Sequence, residues 1–315
     1  TDGREKSPMT DPSRSIVALS LCLLVVGSMF VPTVALADAS AAANASVITD
    51  CQTITESGTY ELEEDISTTE QTCFDVTASD VTLRGNGHTV EYTGEAVDGD
   101  IRGVYVHSPA ESESSLSNVT VEGLGVTGWG TAIHAGQPSY TGEPVEDLTI
   151  RDVNASFNAD IGSSLSGAVA AYVTDEATLT DVTVRGNGDT GIEVSGSGGE
   201  QSAGADVTVT DVRAVNNSGV GVDISTPGQV SVSEVVAIDN EWDGVTVYGP
   251  GPSSSGGDAV TVTDVRTDNN GDYGLYVRTG GPVTVSDVVA TSNDADGVRV
   301  RGPMGEVALA PVPAD

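Results

Sequence analysis

Glu193 and Asp223 hold the same place in two matching segments, Gly191-Ile-Glu-Val194 and Gly221-Val-Asp-Ile224, 30 residues apart. If that interval is one turn of a repeating coil, their Cα atoms lie about 5 Å apart on neighbouring strands. Two carboxyl groups so placed suit several chemistries. They can act as acid and nucleophile on a glycosidic bond. Crowding raises the pKa of one of them, and the pair also attracts Ca²⁺. His134 is a third candidate for this catalytic group. The chain after residue 37 carries 44 acidic side chains, so an adjacent pair also arises by chance, and both readings stay open.

The same positions in the other repeats give two outward-pointing columns. One reads Tyr105, His134, Glu193, Asp223, Thr246, Tyr276 and Arg299. The next reads His107, Tyr172, Ser195, Ser225, Tyr248, Arg278 and Arg301. Arg pairs bidentately with carboxylates, and Tyr offers a flat face and a hydroxyl. Tyr105, His107, Tyr172, Tyr248, Tyr276, Arg278, Arg299 and Arg301 are therefore candidates for binding an acidic polysaccharide. Exposed strand positions favour Tyr, Thr and Arg in any case, which is the plain structural alternative. The connections Ser195–Asp206 and Gly249–Asp258 leave the same strand and are long enough to wall a groove.

The elements that position these residues are legible as a repeat. Asp181, Asp211, Glu234, Asp264 and Asp287 each precede an Asn by six residues, and a Gly follows that Asn by four. The Asn column is Asn187, Asn217, Asn240, Asn270 and Asn293, spaced 30, 23, 30 and 23. Three columns in register over five units mark a solenoid. Val and Thr alternate with period two and no helical period appears, so each unit is a coil of short β segments. A propeller blade needs about 40 residues, more than a 23-residue unit holds. The Asn column suits left-handed turns and an amide ladder between stacked coils. Gly191, Gly221, Gly244, Gly274 and Gly297 suit the bend into the next strand. Ile192, Val194 and their equivalents point inward.

Charge and chain ends narrow the function classes. Net charge is -35, with 12 Lys+Arg against 47 Asp+Glu, so a phosphate-neutralising nucleic-acid binder is excluded. Residues 38–315 keep the same net charge and contain no Lys, a surface suited to high salt, where charges are screened within ~3 Å. Arg4, Lys6 and Arg14 precede an apolar run to Val31, and Ala35-Leu36-Ala37 offers a cleavage site. Residues 1–37 read as a signal peptide, with Met9 an alternative start. The expected product is secreted or at the cell surface, with no stable membrane span after cleavage. Cys51 and Cys73 then remain, as a disulfide in an oxidising compartment or as two free thiols. Asp239, Asp243, Asp268 and Asp272 form an acidic ridge beside the Asn column. It would be a weak Ca²⁺ site or a hydrated acidic surface, and Ca²⁺ is the one cofactor suggested.

Cys51-Gln-Thr-Ile-Thr-Glu-Ser-Gly-Thr-Tyr60, Cys73 and Ser79-Asp-Val-Thr-Leu-Arg-Gly-Asn-Gly-His-Thr-Val90, with the repeat, carry a resemblance. The chain resembles right-handed parallel β-helix repeat proteins of the pectate-lyase-like superfamily, especially secreted haloarchaeal members, over residues 49–301. The resemblance implies an all-β fold: a right-handed parallel β-helix solenoid of about eight coils with an N-terminal cap. The cap would span 38–78, the coils 79–301 and a short tail 302–315. In the resembling enzymes the equivalent parallel sheet lines the substrate groove, several Asp hold calcium and an Arg is the base. Here the outward Arg lie two or more coils from Asp223, a departure that counts against a lyase. Polysaccharide binding leads. A lyase, glycoside hydrolase or epimerase acting on a uronate-containing glycan, or a purely structural surface protein, are the alternatives.

Overall fold

The computed structural model describes residues 45–95, 101–109, 115–137, 144–159, 167–197, 204–250, 258–302 and 307–309. The expected signal peptide, the tail apart from Gly302 and the strand Val307–Leu309, and the middles of the two long connections lie outside the described residues. All the described regular structure is β, and every strand pairing is parallel, so the all-β parallel β-helix expected from the repeat is what forms.

Three parallel ladders wind up the coils. The first, here the site sheet, runs through Gln52–Ile54, Thr72–Val76, Arg102–Val106, Thr131–Ala135 and the start of Gly167–Arg185. It continues through Thr190–Gly196, Val222–Ser225, Val245–Tyr248, Leu275–Arg278 and Val298–Arg301. The other two ladders share long bent strands such as Asp206–Val215, Val230–Ile238, Val260–Asp268 and Val283–Thr291. Alternation sets the core: Val209, Val232, Val262 and Val285 stack in register and are at most 1% exposed. β-branched side chains fill such stacked positions well.

The corners explain the sequence columns. Asp152, Asp181, Asp211, Glu234, Asp264 and Asp287 all sit at φ between 53 and 56°, and each bends a long strand between two ladders. Short polar side chains tolerate this left-handed region best. A second left-handed residue ends each long strand: Phe157, Asn216, Asp239, Asn269 and Ser292, and Gly186 in one coil. The Asn column follows these residues and does not itself adopt the left-handed turn expected of it. Its amides are committed to bonding along the stack. Asn158 extends the column by one coil, and each Nδ2 donates to the next Oδ1 at 2.8–3.0 Å from Asn158 to Asn293. The same Oδ1 atoms accept backbone N–H groups of the preceding Asn.

The Gly column is likewise there for space and not for φ. A Cβ on Gly221 would lie 2.5 Å from the Gly244 carbonyl oxygen and 2.8 Å from the Asn240 amide nitrogen. Gly191, Gly244 and Gly274 meet the same two neighbours of the next coil. Each Gly therefore leaves room for the ladder.

One boundary differs from expectation. From Ser46 onward the segment expected as a cap is wound into the stack: Ser46–Ile48, Gln52–Ile54, Gly58–Leu62 and Thr72–Val76 each pair in parallel with a later strand. The site sheet accordingly has ten rungs where about eight coils were expected. The early coils lack the Asn and Gly columns and their register intervals vary, so no sequence period marks them. Cys51 and Cys73 form a disulfide across this first part of the stack. Among the described residues no helix is long and apolar enough to cross a membrane.

Candidate functional site

The outward columns follow from strand parity on the site sheet. Ile192, Val194, Val222, Ile224, Val245, Val247, Leu275 and Val277 are fully buried on its inner side. Val298 and Val300, on the last rung, are only partly buried. The observed register of the first outward column is Asp75, Tyr105, His134, Ala170, Glu193, Asp223, Thr246, Tyr276 and Arg299. Ala170 fills the first column on the rung that carries Tyr172, a position that the sequence reading of this column omits although the second column includes Tyr172. The second column contains Tyr172, Ser195, Ser225, Tyr248, Arg278 and Arg301 in consecutive register.

The Ala170 rung separates His134 from the carboxylates. His134 lies two strand steps from Glu193, about 10 Å, so the structure does not join it to the Glu193–Asp223 pair. The run Gly167-Ala-Val-Ala-Ala171 hides the alternation that would place Ala170 in the first column, while Tyr172 on the same strand stands out in the second.

Glu193 and Asp223 are direct register partners. Burial, then the charges of Glu193 and Asp243, pushes the Asp223 carboxyl up to about 7. Its Oδ1 is buried without a hydrogen-bond partner. An acid that holds its proton near neutrality beside a second carboxyl group is equipped for acid–base work.

Two aromatic clusters flank this pair. On one side Tyr105 stacks on His107 with ring centroids 4.0 Å apart, and His134 lies 4.9 Å from Tyr105. Tyr172 lies 6.4 Å beyond His134. The Arg102 guanidinium sits 4.2 Å over the Tyr105 ring, and its Nε donates to His134 Nδ1 at 2.9 Å. Burial, then the Arg102 charge, holds His134 down to about 3, so its ring is neutral. His107 Nε2 is 2.8 Å from an Asp75 carboxylate oxygen.

On the other side Tyr276 stacks on Tyr273 at 5.4 Å and meets Tyr248 edge-on at 5.8 Å. Arg299 lies 5.2 Å over Tyr273, and Arg301 lies 5.9 Å over Tyr276. Tyr248 is 38% exposed whereas Tyr276 is 9% exposed. The outer surface is therefore Tyr248, Arg278 and Arg301, with Tyr276 as the floor.

Several members were not legible in sequence. Tyr273 lies outside the columns, in the turn before its strand. Arg102 opens its strand ahead of the alternating positions. Asp243 accepts from Thr246 Oγ1 at 2.7 Å and from the Tyr273 N–H at 2.8 Å, and so holds the turn that presents Tyr273.

The four acidic ridge residues do not converge on a metal. Asp239 accepts from Asn269 at 2.7 Å and Asp268 from Thr291 at 2.7 Å, while Asp243 is held as described. Among the described residues no group of three or more His, Cys, Asp or Glu is arranged to hold a metal ion. A separate depression of about 470 Å³ lies on another corner, where Glu122 bridges Arg84 and Arg151.

Residues 66–307 match the family described as the right handed beta helix region. The chain belongs to this family. No curated protein sequence matches it. Two solved structures are similar at low identity. The A-module of mannuronan C-5 epimerase AlgE6 from Azotobacter vinelandii is 15% identical with a TM-score of 0.37, over 81% of each chain. The Dettilon tailspike protein is 13% identical with a TM-score of 0.31, over 81% of this chain and 60% of its own.

Proposed function

We propose that this β-helix protein binds extracellular or cell-surface polysaccharide through the outer face of the site sheet. The observation that carries the reading is the group of Tyr248, Tyr273 and Tyr276 beside Arg278, Arg299 and Arg301. Three of the nine Arg of residues 38–315 gather there on two adjacent rungs. An exposed ring beside guanidinium groups presents a stacking face and charged donors together, which matches a sugar chain bearing acidic groups. The Cys51–Cys73 disulfide supports an oxidising, extracellular setting.

The test is co-elution of residues 38–315 with uronate-rich polysaccharide on a sizing column in KCl with Ca²⁺. The expected result is binding by the parent and loss of binding in Tyr248→Ala/Arg278→Gln. A parent that co-elutes with no polysaccharide overturns the reading and leaves a structural role.

A second reading is favoured by Asp223. Its proton, held beside Glu193, suits a lyase, hydrolase or epimerase acting on a uronate-containing glycan. Shortened or epimerised chains that disappear with Asp223→Asn or Glu193→Gln, while binding persists, would establish an enzyme. Unaltered chains from the parent would rule it out.

A further inference from the structure

We infer that the outer face selects a polysaccharide in which uronate sugars are separated by uncharged ones, and that it rejects an unbroken polyuronate. The inference rests on the polysaccharide reading above and names the class of chain that the same site takes.

Charge on the site sheet is sorted by rung. Two successive rungs turn Glu193 with Ser195 and Asp223 with Ser225 outward, two carboxyl groups and two hydroxyls. The next rung offers Thr246 and Tyr248, which carry no charge. The two rungs after it offer Tyr276 with Arg278 and Arg299 with Arg301, three guanidinium groups. Asp272 and Asp296 lie in the turns before these last two strands, at the ends away from Arg278 and Arg301.

Tyr248 stands at the border of the two regions and is 38% exposed. Burial, then the Asp223 charge, pushes its hydroxyl up, while the Arg278 charge pulls it down. The ring therefore lies within the field of both groups. Asp223 and Arg278 are two strand steps apart, about 10 Å, so they address different sugars of one chain resting on Tyr248.

The side toward Arg278 and Arg301 suits a sugar carboxylate, which guanidinium groups hold bidentately. The side toward Asp223 does not. Asp223 already lies in the field of Glu193 and Asp243. Asp243 accepts only from the Thr246 hydroxyl and the Tyr273 N–H, uncharged donors that leave its charge in place. A sugar carboxylate there meets like charge, and such juxtaposition rejects a wrong chain as effectively as attraction selects the right one. An uncharged sugar meets instead the Ser195 and Ser225 hydroxyls and carboxyl acceptors for its own hydroxyl groups.

The test is calorimetric titration at pH 8 in 0.1 M KCl, where charges act over about 10 Å. Three oligosaccharide series of equal length are compared: all-uronate, alternating uronate and neutral sugar, and all-neutral. The parent should bind the alternating series most tightly, about tenfold ahead of the all-uronate series, the scale of one like-charge contact at a partly exposed site. Asp223→Asn and Glu193→Gln should each bring the all-uronate series closer to the alternating one, and Glu193→Gln decides the matter if Asp223→Asn does not fold. Arg278→Gln should weaken both acidic series about tenfold, the scale of one hydrogen bond to a charged group. An all-uronate series bound by the parent as tightly as the alternating one would overturn the inference, as would a preference unchanged in both carboxyl variants. If Arg278→Gln meanwhile weakens the acidic chains, the polysaccharide reading stands alone. Equal binding of the neutral and alternating series would overturn the placing of an acidic sugar at the Arg end. No binding of any oligomer by the parent would overturn both readings.

Discussion

Glu193 and Asp223 face outward as register partners on adjacent strands, and Asp223 keeps its proton to about pH 7. The two residues have similar chemistry and the same place in the repeat. Asp223 lies within the field of Asp243 and beside Thr246, which is only 2% exposed.

The first prediction concerns pH. Asp223 has a folded pKa well above its ordinary value of 3.8, so the folded protein binds the extra proton between about pH 4 and pH 7. Its contribution is present below pH 4 and is lost as pH rises through 7. The full shift corresponds to roughly 4 kcal/mol, an upper figure for a partly accessible group. Asp223→Asn should flatten the fall of the unfolding midpoint between pH 4 and pH 8. Parallel curves for variant and parent would refute this.

The second concerns the amide ladder. Asn240 accepts from the Asn217 backbone and side chain, and donates to Asn270 and to the Ala214 carbonyl. Asn240→Ala leaves these buried groups unpaired and should cost about 3 kcal/mol. Asn293, at the last rung, has an Nδ2 without a partner, and Asn293→Ala should cost about 1 kcal/mol. Urea unfolding of the two variants, side by side, checks the order.

The third separates space from conformation at the Gly column. Gly221→Ala drives a Cβ to within 2.5 Å of the Gly244 oxygen, whereas Gly297→Ala meets only the Ala290 side chain at 3.1 Å and its backbone beyond. The former should destabilise by about 2 kcal/mol and the latter by well under half of that. Equal losses in thermal unfolding would return the column to a backbone role.

The fourth concerns salt. The left-handed corners at Asp181, Asp211, Glu234, Asp264 and Asp287 recur once per coil, so like charges stack at about 5 Å. The unfolding midpoint should rise from 0.1 M to 1 M KCl as the screening length falls from ~10 to ~3 Å. Asp211→Asn keeps a residue that tolerates this φ, and it should gain about 0.5 kcal/mol at low salt with a shallower salt slope. A midpoint independent of salt would remove the electrostatic account.

The coil from Asp181 onward was readable because local rules and stacking act on the same residues. A left-handed corner recurs at one phase, most often as Asp, an amide ladder needs Asn at one phase, and the ladder needs Gly beside it. Each requirement recurs once per turn, so the columns at Asn187 and Gly191 appear in one dimension. The inward stacks at Val222 and Val245 are legible for the same reason, since parity alone sends them into the core.

Residues 46–158 obey the same stacking with few of these markers, and there only the folded chain decided the register. Ala170, which parts His134 from Glu193, is masked in the first column by a run of small residues, although Tyr172 on the same rung is legible in the second. Arg102 reaches His134, and Asp243 holds Tyr273, from outside the alternating positions. Their partners lie 32 and 30 residues away. The sequence determined the coil and the face on which the Tyr, Arg and carboxyl groups stand. Tertiary structure decided which of them meet and that Asp223 keeps its proton to about pH 7, because burial and register are properties of neighbouring coils.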